Sequence, residues 1–507
     1  MNDIYLYFVL FVGAVALCGV AASWLYNQLK DTSPRSELRP SRKNTDISLL
    51  RQNISFGKFG EPLLFYGKAK KGQLKKDAWR TNLPNYTASN EKRALVVGAS
   101  GTGKTNYIYS QIVDWSKSGK SYVVTDIKPE IWGTLCANDI ISGFGYRDIV
   151  INPTDPNGLK YNFLDDVDDS ELGELVKILV PASSDETKAF AQTAQKLLRG
   201  IILHLGHKDG AVSLPSVYDY ISEFKNGNKL ISDIIEEGDD APAKLMRQAR
   251  LVGENERFMS SAVSALLSAL EFLDNQIIAD NMSSSDVSLK EALKQSHQAI
   301  FLQFEQISQA ETESLYSTTV MHVIRMLMSN YRERDEVFLI FDELLNGGKI
   351  EALTDKFNTM RSYKMPTFVY IQTLAGLYKK YGQDDSNNLI GACDVKVICR
   401  TNDNVSAEYF SKLAGTIPAQ RIDTFYTNES RQDGGMYEKK HVVPKGLENI
   451  QLVDENELMK MPRGRCMLIV DGEAAVVEMP EHWKHLPMQA KANFIRPSEV
   501  INNEETL

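Results

Sequence analysis

Short apolar runs and helical patterns alternate along most of this chain, on both sides of a long region that contains helical patterns alone. Before that region, apolar runs predict strands at Arg93–Val97, Tyr122–Thr125 and Asp148–Ile151. After it, with helices near 310–331 and 351–362 among them, strands are predicted at Ala299–Phe304, Val337–Phe341, Thr367–Ile371, Val395–Cys399 and Arg465–Val470. Strands that alternate with helices predict an α/β fold with a parallel sheet.

The region from 165 to 296 has a different periodicity. Its apolar residues recur at intervals of three and four, as in Phe190, Ala194, Leu197 and Ile201. This spacing forms one apolar stripe along a helix, which can pack against neighbouring helices. We therefore expect residues 165–296 to be an all-α domain inserted into the α/β domain.

The segment Ile4–Tyr26 contains no charged residue. Its 23 residues, at about 1.5 Å each, can cross the hydrocarbon core of a bilayer, which is about 30 Å thick. Basic residues follow it at Lys30, Arg35, Arg39, Arg42 and Lys43. The apolar segment therefore predicts one transmembrane helix. The positive-inside rule predicts its orientation, with the N-terminus outside and the remainder of the chain in the cytoplasm. The alternative, a cleaved signal peptide, needs basic residues before the apolar run, where the one charged side chain is Asp3.

The charge of the chain is uneven. The formal net charge is −9, yet residues 1–100 carry 15 Lys or Arg against 7 Asp or Glu. This early basic excess can face the anionic lipid of a membrane. The acidic remainder excludes general nucleic-acid binding through overall basic charge, although a local basic groove suffices to bind a single strand. Five cysteines without a C-x-x-C pair favour a reduced compartment over a disulfide framework.

A complete phosphate-loop motif, G-x-x-x-x-G-K-[ST], follows the strand Arg93–Val97 and precedes an amphipathic helix. The backbone N–H groups of such a loop close around phosphate oxygens, and the positive end of the helix assists them. Lys104 is expected to reach the β- and γ-phosphates, and Thr105 to ligate Mg²⁺. The motif predicts a nucleotide site formed by Gly98, Ala99, Ser100, Gly101, Thr102, Gly103, Lys104 and Thr105.

The predicted strand Val337–Phe341 ends in two acidic residues, as a Walker B strand requires. Asp342 is expected to hold Mg²⁺, and Glu343 to orient or deprotonate the attacking water. Both acids follow the carboxyl end of a parallel strand, which is where such sheets bind ligands. Together with the phosphate loop, they predict a catalytic site that hydrolyses a nucleotide.

Two more polar residues are candidates for the same site. Arg361 lies at the end of the helix that follows Asp342, and it could act across a subunit boundary as an arginine finger. Gln372 follows the strand Thr367–Ile371, in the position of a γ-phosphate sensor. Taken alone, Arg361 is more typical of a solvated arginine at a helix end, and Gln372 is a weak candidate because polar residues often end strands.

The ordered set of motifs resembles the coupling proteins of conjugation and type IV secretion, of the TraD/TraG type. The resemblance runs from about Arg93 to Thr416. Besides the phosphate loop, the segments that carry it are Asp126–Glu130, Asn152-Pro153, Asp155-Pro156, Tyr161-Asn162, Asp342–Ile350, Met360–Lys364, Tyr370–Thr373, Leu377–Gly382 and Asn402–Tyr409. Two departures are one expected membrane helix where the family usually has two, and no long C-terminal substrate-recruiting extension.

The resemblance implies a RecA-like P-loop nucleotide-binding domain with an all-α insertion, ATP and Mg²⁺ as cofactors, and a homo-oligomeric ring, expected to be a hexamer. It also implies that Arg361 and Gln372 are catalytic, as arginine finger and sensor. The partners it implies are single-stranded DNA with its relaxase (the relaxosome), and the ATPases and inner-membrane components of the secretion channel. The implied location is the bacterial inner membrane.

The resulting domain prediction is an N-terminal anchor at 1–30, a juxtamembrane linker at 31–60, the nucleotide-binding domain at 61–164 and 297–494, the all-α insertion at 165–296, and a mobile acidic tail at 495–507. The expected function is to drive single-stranded DNA with its relaxase, or protein, into a type IV secretion channel. The alternatives are a receptor or gating ATPase for secreted proteins, an FtsK- or HerA-type duplex DNA translocase, and a membrane scaffold with a relict nucleotide site.

Overall fold

The structure is a computed structural model of the 507-residue chain. It describes residues 35–40, 93–182, 187–224, 227–236, 240–252, 256–304, 309–350, 352–430 and 436–479. The predicted membrane helix within 1–30, most of the predicted linker and the predicted tail at 495–507 lie outside these residues. Among the helices that are described, none combines the length and the apolar character needed to cross a bilayer.

The strands in the described part of the chain are β1 (Arg35–Pro40), β2 (Arg93–Val97), β3 (Ser121–Thr125), β4 (Arg147–Ile151), β5 (Gln298–Leu302), β6 (Val337–Phe341), β7 (Thr367–Ile371), β8 (Val395–Ile398), β9 (Thr416–Ser430), β10 (Met436–Gln451), β11 (Arg465–Val470) and β12 (Glu473–Glu478). They belong to two compact units. One unit contains the described residues within 1–43 and 415–452, and the other contains those within 44–414 and 453–507.

The helices in the described part of the chain are α1 (Lys104–Lys117), α2 (Glu130–Ala137), α3 (Ile140–Gly143), α4 (Asp169–Leu179), α5 (Lys188–Asp209), α6 (Leu214–Ser222), α7 (Gly227–Glu236), α8 (Asp240–Val252), α9 (Glu256–Ala269), α10 (Gln276–Asn281), α11 (Leu289–Ala292), α12 (Gln309–Ser329), α13 (Leu353–Met360), α14 (Leu374–Tyr381), α15 (Gln383–Ala392), α16 (Asn404–Ala414) and α17 (Glu455–Met459). Three 3₁₀ turns are also described, at Phe163–Asp166, Glu271–Asp274 and Arg361–Tyr363.

The larger unit is built on a nine-stranded sheet in the order β12-β11-β8-β2-β7-β6-β3-β5-β4. The seven strands from β8 to β4 are parallel, while at one edge β11 pairs antiparallel with β8, and β12 pairs antiparallel with β11. Every residue of β2, β3, β5, β6 and β7 is buried. Strands that are covered on both faces need continuous apolar runs, and such runs make these strands easy to predict from the sequence. The prediction of a parallel α/β sheet is confirmed.

Helix α1 covers the centre of this sheet. The ring of Trp115 packs on Phe338 of β6 and Phe368 of β7, with centroid distances of 4.5 and 5.1 Å. The apolar side chains of α1 recur at helical spacing, and Ile108, Ile112 and Trp115 are fully buried. Burying each such side chain stabilises the fold by about 1.5–3 kcal/mol, so this contact holds the helix that follows the phosphate loop firmly in position.

The described residues between 165 and 296 contain helices and no strand. The chain leaves the sheet after β4 and returns at β5, which pairs with β4 in parallel. The carboxylate of Asp166 joins the two ends of the insertion, because it accepts hydrogen bonds from the Ser288 hydroxyl at 2.6 Å and the Leu289 amide at 2.8 Å. It also accepts one from the hydroxyl of Tyr161, which in turn lies 2.8 Å from Nε2 of His322 on α12.

The smaller unit is an antiparallel sheet in the order β1-β9-β10. The sequence analysis predicted no strand between Gly415 and Leu452. On β9 the buried positions are Ile417, Ala419, Ile422, Asp423 and Thr424, so burial does not keep a period of two. The break in the period lies opposite the irregularity between Pro444 and Gly446 of β10. A bulge of this kind interrupts the alternation by which a strand is usually predicted.

Candidate nucleotide-binding site

The phosphate loop joins β2 to α1 and is tied to both neighbouring strands. The Gly98 amide donates to the Ile371 carbonyl of β7 at 3.2 Å, and the Ala99 amide donates to the Arg400 carbonyl beyond β8 at 2.9 Å. A side chain at Gly98 would collide with Cys399. Gly103 has a φ of 106°, a conformation that L side chains rarely adopt. The motif therefore uses glycine where backbone approach and backbone conformation require it.

Lys104 is the first residue of α1, and its side chain folds back over the loop. Its Nζ donates to the carbonyl oxygens of Gly98 at 2.6 Å and Ala99 at 3.1 Å. Burial lowers the pKa of Lys104, and the nearby charges of Asp342 and Glu343 oppose that shift. The ammonium is therefore held beside the loop and beside the acids that follow β6.

Asp342 lies at the carboxyl end of β6, with β7 between it and the phosphate-loop strand β2. Burial raises the pKa of Asp342 to about 8, and the charges of Glu343 and Asp126 add to the rise. A buried carboxyl among other acids is a favourable position for a cation, which would stabilise its ionised form. Binding of a cation would therefore bring out the negative charge of Asp342.

Glu343 has a φ of 48°, which is uncommon for a residue other than glycine and often marks functional sites. The next amide, of Leu344, donates to the Tyr370 carbonyl of β7 at 3.1 Å and fixes this turn. Oε2 of Glu343 accepts a hydrogen bond from the Asn346 side chain at 2.5 Å and lies 3.6 Å from Nζ of Lys128. The Glu343 carboxylate is therefore held from two sides.

These residues line one cavity of about 280 Å³. Its lining contains Ser100, Gly101, Gly103, Lys104 and Thr105 of the loop, Asp342 and Glu343 after β6, and Asn106, Tyr109, Lys128, Glu130 and Arg463. The structure thus brings the predicted phosphate-loop and Walker B residues together, although their roles stay predictions. Gly98, Ala99 and Thr102 are not among the lining residues, and they form hydrogen bonds within the loop.

Five residues that line the cavity had no role in the sequence analysis: Asn106, Tyr109, Lys128, Glu130 and Arg463. Lys128 and Glu130 stood in a recognised motif, but nothing in the spacing indicated that they face the cavity. Arg463 lies in the turn before β11. Because β11 runs antiparallel to β8, this turn lies beside the carboxyl ends of the parallel strands, where the phosphate loop also lies. Only the pairing of β11 with β8 could have revealed that position, and no local sequence signal encodes it.

Asp126 has a structural position at the end of β3. Its carboxylate accepts hydrogen bonds from the amides of Ile131 at 3.2 Å and Trp132 at 2.9 Å, in the first turn of α2. The Gln303 side chain donates a third, at 3.2 Å. Burial raises the pKa of Asp126 to about 7, even though these hydrogen bonds lower it. The carboxylate fixes the loop that carries Lys128.

Gln372 directly follows β7, which lies between β2 and β6. Because parallel strands have their carboxyl ends on the same side of a sheet, Gln372 lies on the side that carries the phosphate loop and Asp342. It is not among the residues that line the cavity. Its role as a sensor stays a prediction, and its position in the fold is compatible with that role.

Arg361 lies near the amino end of β7, at the opposite ends of the strands from the phosphate loop. It is exposed and begins the 3₁₀ turn that precedes β7. The guanidinium of Arg334 holds this turn, donating to the Tyr363 carbonyl at 2.7 Å and the Leu327 carbonyl at 2.6 Å. A strand of five residues is about 16 Å long, so Arg361 is remote from its own phosphate loop. The prediction that it acts across a subunit boundary stays open.

The described part of the chain contains no preformed cluster of three or more His, Cys, Asp or Glu side chains that could hold a metal ion. The residues at the cavity fit Mg²⁺ bound together with a nucleotide, because Mg²⁺ usually takes one or two protein oxygens and completes its shell with phosphates and water. The Thr105 hydroxyl and the Asp342 carboxylate supply such oxygens.

Comparison with known proteins gives the family. The sequence profile described as Type IV secretory system Conjugative DNA transfer matches residues 60–486. The conjugal transfer protein TraG of Escherichia coli is 23% identical over 450 residues, which cover 78% of this chain and 68% of TraG. Protein VirD4 of Rhizobium rhizogenes is 23% identical over 303 residues, which cover 58% of this chain and 44% of VirD4.

A solved structure supports the fold. The bacterial conjugative coupling protein TrwBdeltaN70 is 18% identical, with a TM-score of 0.60, and the match covers 91% of this chain and 96% of that chain. TrwB has also been solved in complex with ADP and Mg²⁺. The resemblance drawn from the motifs is confirmed, and the chain belongs to the family of type IV secretory system conjugative DNA transfer proteins.

Proposed function

We propose that this chain is a coupling ATPase, which recruits single-stranded DNA with its relaxase, or protein, and drives it into a type IV secretion channel. The observation that carries this proposal is the single cavity shared by Lys104, Asp342 and Glu343. A cation for phosphates, an acid for Mg²⁺ and an acid for water are the groups that phosphoryl transfer to water requires. The family membership supports the transport role.

ATP with Mg²⁺ is the proposed ligand of the cavity. The loop amides and the Lys104 ammonium bind the phosphates, and the Thr105 hydroxyl and Asp342 carboxylate hold the metal ion. Mg²⁺ bound there neutralises charge on the phosphate oxygens. The related coupling protein TrwB binds ADP and Mg²⁺, which supports this assignment.

Hydrolysis in this proposal depends on the positions of a few side chains. Glu343 orients the attacking water and accepts its proton, while Lys104 stabilises negative charge that develops on the phosphate oxygens. Gln372, at the same edge of the sheet, contacts the γ-phosphate. Because the groups are held on a rigid sheet, they need little rearrangement at the moment of reaction.

The proposed assembly is a homo-oligomeric ring, taken to be a hexamer, with each nucleotide near a subunit boundary. The exposed position of Arg361, remote from the phosphate loop of its own chain, supports a role as an arginine finger in the neighbouring site. We propose that the ring is anchored to lipid of the bacterial inner membrane by the helix predicted at Ile4–Tyr26. There it meets the relaxosome and the ATPases and inner-membrane components of the channel.

The test is steady-state ATP hydrolysis by the full-length chain in lipid nanodiscs, titrated in protein concentration, with and without single-stranded DNA. Lys104→Ala is the blank. Lys117→Ala is the matched control, because Lys117 ends the same helix and pairs with Asp114 at 3.0 Å. We expect hydrolysis that depends on Lys104, rises with single-stranded DNA, and rises more steeply than linearly with protein concentration.

Each other outcome selects an alternative. Hydrolysis that depends on Lys104 but is indifferent to DNA would favour a receptor or gating ATPase for secreted proteins. Stimulation by duplex DNA alone would favour an FtsK- or HerA-type translocase. Equal rates for the native chain and Lys104→Ala would contradict the proposed ATPase.

A further inference from the structure

Lys128 connects the loop after β3 to Glu343, the acid proposed to orient the attacking water. It lies in the loop after β3, and its Nζ is 3.6 Å from Oε2 of Glu343, which follows the neighbouring strand β6. The side chain of Asn346 donates to the same oxygen at 2.5 Å. Glu343 therefore has one partner from its own turn and one from another strand.

The backbone around this contact is fixed, so the side-chain partners decide where the carboxylate lies. The Leu344 amide pins the turn at Glu343 to the carbonyl of Tyr370. On the other side, Asp126 binds the first turn of α2 and donates its own amide to the Leu302 carbonyl at 2.9 Å. With both backbones held, rotation about side-chain bonds is the main remaining freedom of Glu343.

We propose that Lys128 is a positioning residue for the water-directing carboxylate of Glu343, acting together with Asn346. Both contacts engage Oε2, which leaves the other carboxylate oxygen as the one that serves water. The inference rests on the proposed role of Glu343 in hydrolysis. It predicts that Lys128 affects the rate of turnover and not the binding of nucleotide.

A second reading is that Lys128 binds nucleotide phosphate directly. Its side chain is 50% exposed and lines the cavity, so an ammonium–phosphate contact is sterically open to it. The two roles separate kinetically, because a lost phosphate contact weakens nucleotide binding, whereas a misplaced carboxylate lowers kcat alone. The contact between Lys128 and Glu343 favours the positioning role.

The chain contains a matched control for this ion pair. Lys120 and Glu336 precede β3 and β6, the same two strands, and their side chains pair at 3.2 Å. That pair lies at the amino ends of the strands, away from the cavity. If an ion pair between β3 and β6 mattered only for stability, substitution of Lys120 and of Lys128 would have equal effects.

The experiment compares Lys128→Met, Lys128→Arg and Lys120→Met in the full-length chain, by kcat and KM for ATP hydrolysis and by the affinity for a fluorescent ATP analogue. We expect Lys128→Met to lower kcat by about tenfold, with KM and affinity changed less than about twofold. Lys128→Arg should recover most of the loss, since it restores a cation. Lys120→Met should leave all three values unchanged.

The proposal is overturned if Lys128→Met raises KM at constant kcat, raises kcat, changes nothing, or acts no differently from Lys120→Met. Glu343→Gln distinguishes a failure of the proposed role of Glu343 from a failure of the positioning role of Lys128. If that variant keeps its turnover, the proposed role of Glu343 has failed. If it loses turnover while Lys128→Met is normal, only the positioning inference has failed.

Discussion

Gly98 lies directly against Cys399, so that a β-carbon built on Gly98 would stand 2.7 Å from Cβ of Cys399 and 2.9 Å from Oγ1 of Thr102. Carbon atoms in ordinary contact are about 3.5–4.0 Å apart. The first residue of the phosphate loop therefore packs against the end of β8 with no room for a side chain.

Gly98→Ala should displace the loop and weaken nucleotide binding by at least about tenfold, because the loop amides would no longer converge on phosphate. The measurement is titration with a fluorescent ATP analogue. Removing the opposing β-carbon gives a control: Gly98→Ala with Cys399→Gly should recover part of the affinity. Normal affinity in the single variant would mean that the loop accommodates the methyl group.

Glu343→Gln should keep nucleotide affinity and lower kcat by at least about 100-fold, because the amide has the same shape but cannot accept a proton from water. Affinity and steady-state hydrolysis are measured on the same preparation. Glu130→Gln is the matched control, since Glu130 lines the same cavity. If both variants turned over at the native rate, Glu343 would lose its proposed role.

Arg361→Ala should bind nucleotide normally and fail to hydrolyse it, because the missing cation belongs to the neighbouring site. Mixing it with Lys104→Ala subunits tests this directly. In a randomly mixed ring, about a quarter of the interfaces unite an intact phosphate loop with an intact arginine, so about a quarter of the native activity should return. No recovery in rings shown to exchange subunits would contradict action across the boundary. Arg332→Ala, at a nearby exposed arginine, is the control.

His322→Gln should remove a pH dependence of stability. Burial lowers the pKa of His322 to about 4, so the folded chain keeps it neutral while the unfolded chain protonates it near pH 6.5. The stability that the neutral form contributes is complete above pH 6.5 and is lost as the pH falls toward 4. The difference amounts to at most about 3 kcal/mol.

The measurement is the midpoint of thermal unfolding from pH 4.5 to 7.5. The native chain should lose stability at low pH more steeply than the His322→Gln variant, whose amide can still bond to the Tyr161 hydroxyl. His297→Gln controls for loss of an exposed histidine. Parallel profiles for the native chain and His322→Gln would show that His322 does not titrate in this way.

The sequence predicted the sheet well where strands are buried on both faces. The limits of β2, β6, β7 and β11 match the prediction, because an uninterrupted apolar run ends where the strand meets a polar turn. It failed at β9, where a bulge in the partner strand interrupts the alternation of buried positions, and at β10, where residues 439–451 are exposed or half-buried. The helix predicted near 351–362 ends at Met360 and passes into the 3₁₀ turn at Arg361.

The chemistry of the site was predictable only within single motifs. The phosphate loop and the acids after β6 are each recognisable from a local pattern, and the structure places them at one cavity. The contact of Lys128 with Glu343 depends on β3 lying beside β6, and the position of Arg463 depends on β11 lying beside β8. Both are consequences of strand order, which an isolated sequence does not encode locally.

The strand order also has a consequence for how the chain is made. Ala94 of β2 pairs with Phe368 of β7 and with Val395 of β8, and the phosphate loop bonds to the residues just beyond both. A ribosome adds about 5–20 residues per second, so β8, the second neighbour of β2, is completed roughly 15–60 s after β2. For most of that interval, until β7 has been synthesised, the apolar strand β2 lacks both neighbours, whereas the helical insertion can fold from local contacts. A nascent chain that ends before β8 therefore lacks one of the two neighbours that hold the phosphate loop, and the loop can make its contact with the Arg400 carbonyl only after that residue has been synthesised.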